Sequence, residues 1–237
     1  MSSRVEIIAE LSTNHGGDVG LALQFIKAFS PIVDTIKIQS HRVAHLQPTD
    51  PQFEWMRSSQ LKDEHHFKIL GACQDAGVQF LTTIFNTAEV DLVARLGCQR
   101  VKIGSGEAGN VELAKAVHAA GLRALVSTGI TPVGMTAFEG YRYRQFLGCV
   151  TRYPAPAGIA YAMLTNNPQL SGFSDHSIGL DECKAAIVAG AKIIECHVQL
   201  TNQARPVRSF EKSVAAMREL RDFADDDTSR FIKRWQS

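Results

Sequence analysis

Two histidines close short apolar runs: His176 follows Phe173-Ser174-Asp175, and His197 ends Ile193-Ile194-Glu195-Cys196-His197. Neutral imidazole is a common ligand for Mn, Fe, Co or Zn, so two such rings brought together could hold a divalent metal. The plainer alternative makes Ser174 to Ser177 a helix-start loop and His197 a satisfied core histidine. Two lysines also sit inside apolar runs, Ile36-Lys37-Ile38 and Val101-Lys102-Ile103. A solitary ammonium is costly to bury, so each calls for an anionic partner, either a carboxylate or a bound ligand. With the hydroxyls of Thr83, Ser105, Ser127 and Ser174, the lysines make a phosphate site of point charges and donors around a tetrahedral anion.

For these residues to meet, the chain must return repeatedly to one place. Between the two histidines, Leu180 to Gly190 is Ala-rich and ends in Gly, as helices often do. A strand-helix-strand unit with parallel strands brings both strand ends to the same edge. The same rhythm runs through the sequence, with strands expected at Val5–Leu11, Thr35–Ser40, Gln79–Phe85, Arg100–Ser105, Arg123–Gly129, Phe146–Tyr153, Leu170–Asp175 and Lys192–Val198. Helical spacing lies between them and in a closing segment, Phe210–Ala224. Three stretches break the rhythm. His41–Gln60 is a long connection with two prolines and reads as a lid or substrate loop, Thr131–Gln145 supports at most a short irregular helix, and Ala157–Gln169 is poorly defined. Eight strands alternating with helices give a (β/α)8 TIM barrel in one α/β domain over residues 1–227, with a polar tail at 228–237; an open doubly wound sheet also fits the alternation. In a barrel, reactive groups come from the C-terminal strand ends. Those ends carry Glu10, Lys37, Gln39, Thr83, Lys102, Ser105, Glu107, Ser127, Tyr153, Ser174, His176, Glu195 and His197.

The bulk properties narrow the partners. With 25 basic and 24 acidic side chains in 237 residues, the net charge is +1, which argues against nucleic-acid and membrane-surface roles. Five cysteines without a CxxC pair are expected to be reduced and buried. The N-terminus runs into a strand with no signal-peptide apolar stretch, and no apolar run approaches the ~18 residues that cross a bilayer. A cytoplasmic protein acting on small molecules is expected.

Several segments together resemble a known family. Ile7-Ile8-Ala9-Glu10-Leu11-Ser12-Thr13-Asn14-His15-Gly16-Gly17-Asp18, Ile36-Lys37-Ile38-Gln39-Ser40, Val101-Lys102-Ile103-Gly104-Ser105-Gly106-Glu107, Leu125-Val126-Ser127-Thr128-Gly129, Tyr153-Pro154-Ala155-Pro156, Gly172-Phe173-Ser174-Asp175-His176 and Ile194-Glu195-Cys196-His197 are similar, in order and spacing, to the sialic acid synthases. The resemblance implies a metal-dependent barrel enzyme, a C–C bond-forming transferase, that condenses phosphoenolpyruvate with an open-chain aldose. By the same resemblance, His176 and His197 hold Mn²⁺ or Mg²⁺, with Zn²⁺ as the alternative. It further implies that Lys37, Lys102, Thr83, Ser105, Ser127 and Ser174 hold phosphoenolpyruvate, Glu10 handles protons at the attacking water, and Gln39, Glu107 and Tyr153 touch the acceptor sugar. A homodimer is also what it suggests.

Departures from the family pattern cluster on the acceptor side. Ala204-Arg205-Pro206-Val207-Arg208-Ser209-Phe210 stands where the family has a Pro-Gly-Pro-Asp-His-like stretch, which puts Arg208 near the expected Asp. Ile84 replaces a Pro after Thr83, Thr151-Arg152 replaces an Asn- or Ser-containing pair, and the loop after the second strand is short. The sequence also ends after the eighth helix, without the family's antifreeze-like domain. An altered acceptor is therefore expected, with Arg205 or Arg208 meeting a carboxylate or phosphate, or else serving as solvated loop arginines. A metal-dependent aldolase or lyase, and a non-catalytic barrel partnering another subunit, are the competing functions.

Overall fold

The computed structural model describes residues 4–45 and 47–226, so the tail expected at 228–237 lies outside the described residues. Eight parallel strands close on themselves in sequence order: β1 Glu6–Glu10, β2 Thr35–Gln39, β3 Gln79–Ile84, β4 Arg100–Ile103, β5 Arg123–Ser127, β6 Arg144–Cys149, β7 Leu170–Asp175 and β8 Ile193–His197. Closure is explicit in the register: β1 pairs with β2 on one side and with β8 on the other, setting Glu10 beside both Lys37 and His197. The helices α1 Val19–Phe29, α2 Phe53–Ser59, α3 Asp63–Asp75, α4 Ala88–Arg95, α5 Val111–Ala119, α6 Ala160–Asn166, α7 Asp181–Val188 and α8 Val214–Asp225 surround the barrel. The TIM-barrel expectation holds, and the open sheet does not.

Strand alternation separates two environments. Ile7, Ala9, Ile36, Ile38, Val101, Ile103, Val126 and Ile194 point outward into the helices. Ile8, Leu81, Leu125, Leu147 and Ile193 pack as a small cluster of their own inside the barrel. Below that plug, Arg100 pairs with Glu6 near the N-terminal rim; above it stand the polar strand ends. Gly172 on β7 allows a close approach to β8, because a Cβ there would collide with the Ile193 carbonyl.

The structure amends the sequence reading at three places. The 41–60 connection is not wholly loop, since α2 forms within it. The poorly defined 157–169 segment yields α6. The stretch after β5 forms only a 3-10 turn at Val133–Met135, as short and irregular as expected. Helix α8 starts at Val214 rather than Phe210, because Lys212 is drawn into a bridge with Val198 and Ser213 then caps the helix by accepting from Ala216 N. The cysteines are free thiols, four of them buried and Cys98 only partly so. No described helix is long and apolar enough to cross a membrane.

Candidate active site

The C-terminal rim holds two connected chambers. The inner one, about 320 Å³, is lined by Glu10, Lys37, Thr83, Lys102, Ser105, Ser127, Ser174, His176, Glu195 and His197, among others. Lys37 contacts the Glu10 carboxylate, donates to Thr83 Oγ1 at 2.7 Å and lies 3.8 Å from Glu195 Oε2. Lys102 donates to Ser127 Oγ at 2.7 Å and to the Ile103 carbonyl at 3.2 Å, and it lies 3.9 Å from Glu195 Oε1. Ser174 Oγ donates to that same Glu195 oxygen at 2.8 Å. Lys37, Lys102, Glu10 and Glu195 are all at most 3% exposed, so two buried ammoniums face two buried carboxylates. Each charge needs the others, because none can reach solvent.

Burial pulls the Lys37 ammonium down to about 7, with Glu195 acting in the opposite direction. Burial also works against ionised Glu195, yet Lys102 and Lys37 outweigh it and hold the carboxyl below its usual range. The backbone N–H of Ser12, whose φ of 53° bends the chain sharply after β1, donates to the second Glu10 oxygen. The Ser105 hydroxyl is buried without a hydrogen-bond partner among the described residues. A buried unpaired hydroxyl at a pocket wall is a place for a ligand atom.

At the neck, the His176 and His197 ring centroids are 5.3 Å apart. The Val150 carbonyl lies 2.7 Å from His176 Nδ1; since a carbonyl only accepts, Nδ1 carries the hydrogen and Nε2 keeps its lone pair. His197 Nδ1 is buried and has no partner among the described residues. Burial first, then for His197 the neighbouring His176, lowers both imidazole pKa values, which leaves the rings neutral at pH 7. Neutral imidazole is the form that binds a metal. The only close trio of candidate ligand atoms among the described residues is Asp175, Cys183 and Cys196. That trio faces away from the chambers, and Lys212 already occupies it, 2.8 Å from Asp175. A metal at the histidine pair would therefore complete its shell with water or substrate, as open catalytic sites do.

The outer chamber, about 540 Å³, shares Gln39, Tyr153 and His197 with the inner one. Its far walls are α2, through Gln52 and Met56, and the loop after β8, through Arg205, Arg208, Ser209 and Phe210. Gly17, at φ +83°, lets the β1 loop lie against α2: a Cβ there would meet the Ser58 carbonyl at 2.5 Å. The Tyr153 ring lies 4.2 Å from that of His176 and 5.2 Å from that of Phe210.

Of the residues singled out in the sequence, Glu107 alone lines neither chamber; its carboxylate accepts from Asn110 at 2.8 Å. Glu195 appeared among the strand ends without a role, yet it is the hub of the inner charges. Its position two residues before His197 on one strand is the signal that puts both on the interior face. The α2 side chains were missed because Pro48 and Pro51, just before the helix, spoke for loop.

Fold and site together define a (β/α)8 barrel with an ionic pocket at its C-terminal rim. Within that class, the chain belongs to the NeuB family, whose model matches residues 22–226. It is 28% identical over 223 residues to an N,N'-diacetyllegionaminic acid synthase of Legionella pneumophila, covering 81% of this chain and 63% of that protein. It is also 28% identical to a pseudaminic acid synthase of Campylobacter jejuni, covering 83% and 66%. The chain thus spans under two thirds of these relatives. Among solved structures, it superposes with a TM-score of 0.87 on an N-acetylneuraminic acid synthetase of Leptospira borgpetersenii at 22% identity, over 99% of this chain and 86% of that one. With the spore coat polysaccharide biosynthesis protein SpsE of Bacillus subtilis the TM-score is 0.81 at 26% identity, over 98% and 71%.

Proposed function

We propose that the chain condenses phosphoenolpyruvate with the open-chain aldehyde of an aldose, yielding a 2-keto-3-deoxy sugar acid and inorganic phosphate, with Mn²⁺ or Mg²⁺ in the site. The observation that carries this reading is the inner chamber's charge arrangement. Lys37 and Lys102 with the Thr83, Ser105 and Ser127 hydroxyls suit a ligand bearing both phosphate and carboxylate. Glu10 and Glu195 already cancel the two lysines, however, so phosphoenolpyruvate would bring uncompensated negative charge into a buried pocket. A divalent cation at the two neutral imidazoles restores the balance. When bound, it supplies Lewis acidity toward the aldehyde oxygen and a template for water.

The chain's own residues do the rest. Lys37 and Lys102 bind the donor and aim its carbon 3 at the neck, while Gln39 and Tyr153, shared by both chambers, orient the aldehyde there. Carbon 3 bonds to the aldehyde carbon and water adds at carbon 2. Glu10 takes the proton from that water and passes it to the former aldehyde oxygen, which becomes a hydroxyl; phosphate then leaves from carbon 2 beside Lys102 and Ser127, carrying off the proton of the carbon 2 hydroxyl and leaving the 2-keto group. The names of the relatives, synthases of legionaminic and pseudaminic acids, support a sugar-acid product.

Phosphate release from phosphoenolpyruvate, measured with Mn²⁺ and a panel of aldoses, tests the proposal. Release only when an aldose is present supports it. Cleavage of a 2-keto-3-deoxy acid without phosphate chemistry would replace it with a lyase, and aldose-dependent release that survives His176→Ala would overturn the metal assignment.

A further inference from the structure

Two arginines of the loop after β8 line the outer chamber, and their surroundings differ. Arg208 is committed: Nε and Nη2 donate to Glu211 Oε1 at 2.9 and 2.6 Å, and Nη2 reaches Asn14 Oδ1 at 3.4 Å. The Glu211 carboxylate, which also accepts from Gln203 and Asn14, neutralises it. Arg205 has no carboxylate within ion-pair distance among the described residues. Its guanidinium carbon lies 5.2 Å from the centre of the Trp55 ring, and Nη2 stands 3.5 Å from Gln52 Oε1. Trp55 is itself fixed, donating from Nε1 to Thr13 Oγ1 at 2.9 Å. A half-buried guanidinium, stacked on an anchored ring and facing a cavity without a counter-ion, is preorganised for an external anion. The cavity opens at its other end on Gln39, Tyr153 and His197, and its volume is within the roughly 300–1,000 Å³ typical of small-molecule sites.

We propose that Arg205 is a specificity-determining residue that recognises an anionic group, phosphate or carboxylate, at the end of the acceptor aldose remote from the reacting aldehyde. The inference rests on the condensation reading for which substrate fills the outer chamber; Arg208, already paired, shapes the wall. The guanidinium fork and the Gln52 amide meet the anion from the α2 side, so a neutral sugar leaves Arg205 without a counter-ion in the same cavity.

Binding can be read without turnover. The chain has two tryptophans, so in a Trp235→Phe background Trp55 alone reports. Its fluorescence would be titrated with mannose, mannose 6-phosphate, mannuronic acid and inorganic phosphate. The expected result is half-saturation by one charged sugar at a concentration lower by about tenfold or more than for mannose, in line with one charge-assisted hydrogen-bonded contact. The charged sugar that saturates first identifies the anion as phosphate or carboxylate. Arg205→Met should abolish the preference and Arg205→Lys retain part of it. Equal response to neutral and charged sugars, a preference that persists in Arg205→Met, no response to either charged sugar, or inorganic phosphate saturating as tightly as mannose 6-phosphate would each overturn the inference. A protein that prefers charged sugars yet never releases phosphate fails the condensation reading alone. One that turns over neutral and charged aldoses equally fails this inference alone.

Discussion

The inner and outer chambers meet at Gln39, Tyr153 and His197 but are built on opposite electrostatic plans. The inner one is closed in charge, with Lys37 and Lys102 set against Glu10 and Glu195, all buried on neighbouring strands. The outer one is half open, walled by a short helix and a loop, and it leaves the Arg205 charge uncompensated. Strands fix the inner groups through register, so their chemistry comes with the fold. Loops carry the outer groups, where the choice of substrate can change without disturbing the barrel.

The largest expected contrast is in stability. Glu195→Ala leaves two buried ammoniums facing one carboxylate and should cost about 3–5 kcal/mol in urea denaturation, whereas Arg205→Met should cost under about 1 kcal/mol. Similar losses for the two would break the comparison. Next, His176→Ala should lower aldose-dependent phosphate release by about 100-fold or more while leaving the urea midpoint near wild type, since the proposed metal would lose a ligand and the site its charge balance while the fold keeps its core.

A pH experiment sharpens the same contrast. The folded-state pKa of Lys37 lies near 7, below the ordinary lysine value, so Lys37 disfavours folding of the ligand-free protein increasingly as pH falls from the ordinary lysine range toward 7. A bound anion favours the charged ammonium, so phosphoenolpyruvate binding takes up a proton above that pH. Its affinity should therefore fall by up to about tenfold per pH unit between about pH 7.5 and 9, in calorimetric titrations. Sugar binding in the outer chamber should show no such slope. The smallest effect is the loss of charged-sugar preference in Arg205→Met.

The sequence foretold the inner chamber better than the outer one, for a physical reason. Lysines inside Ile-Lys-Ile and Val-Lys-Ile runs, and histidines closing apolar runs, are conspicuous because strand alternation and burial cost leave them few alternatives. Glu195 obeyed the same alternation, but a carboxylate flanked by Ile194 and Cys196 shows its role only once the lysines are seen around it. In the outer chamber no periodicity links α2 to the loop after β8. The pairing of Arg208 with Glu211 is local but sits in a loop without periodicity, and the stacking of Arg205 on Trp55, far apart in sequence, is a tertiary outcome. Glu107 shows the converse: a polar strand-end motif whose side chain turns instead to Asn110.

The central claim is that the inner chamber holds phosphoenolpyruvate, and equilibrium titration of that ligand tests it most directly, using wild type, Ser105→Ala, Lys102→Met and Arg205→Met with folding checked by circular dichroism. Ser105 has no partner to lose, so its alanine variant keeps the fold and isolates the ligand contact. The account predicts saturable binding to wild type, weakened by about fivefold to tenfold in Ser105→Ala and by more in Lys102→Met, with Arg205→Met affected least. No saturable binding to wild type, unaltered affinity in the Ser105 and Lys102 variants, or a loss in Arg205→Met as large as in Lys102→Met would contradict it.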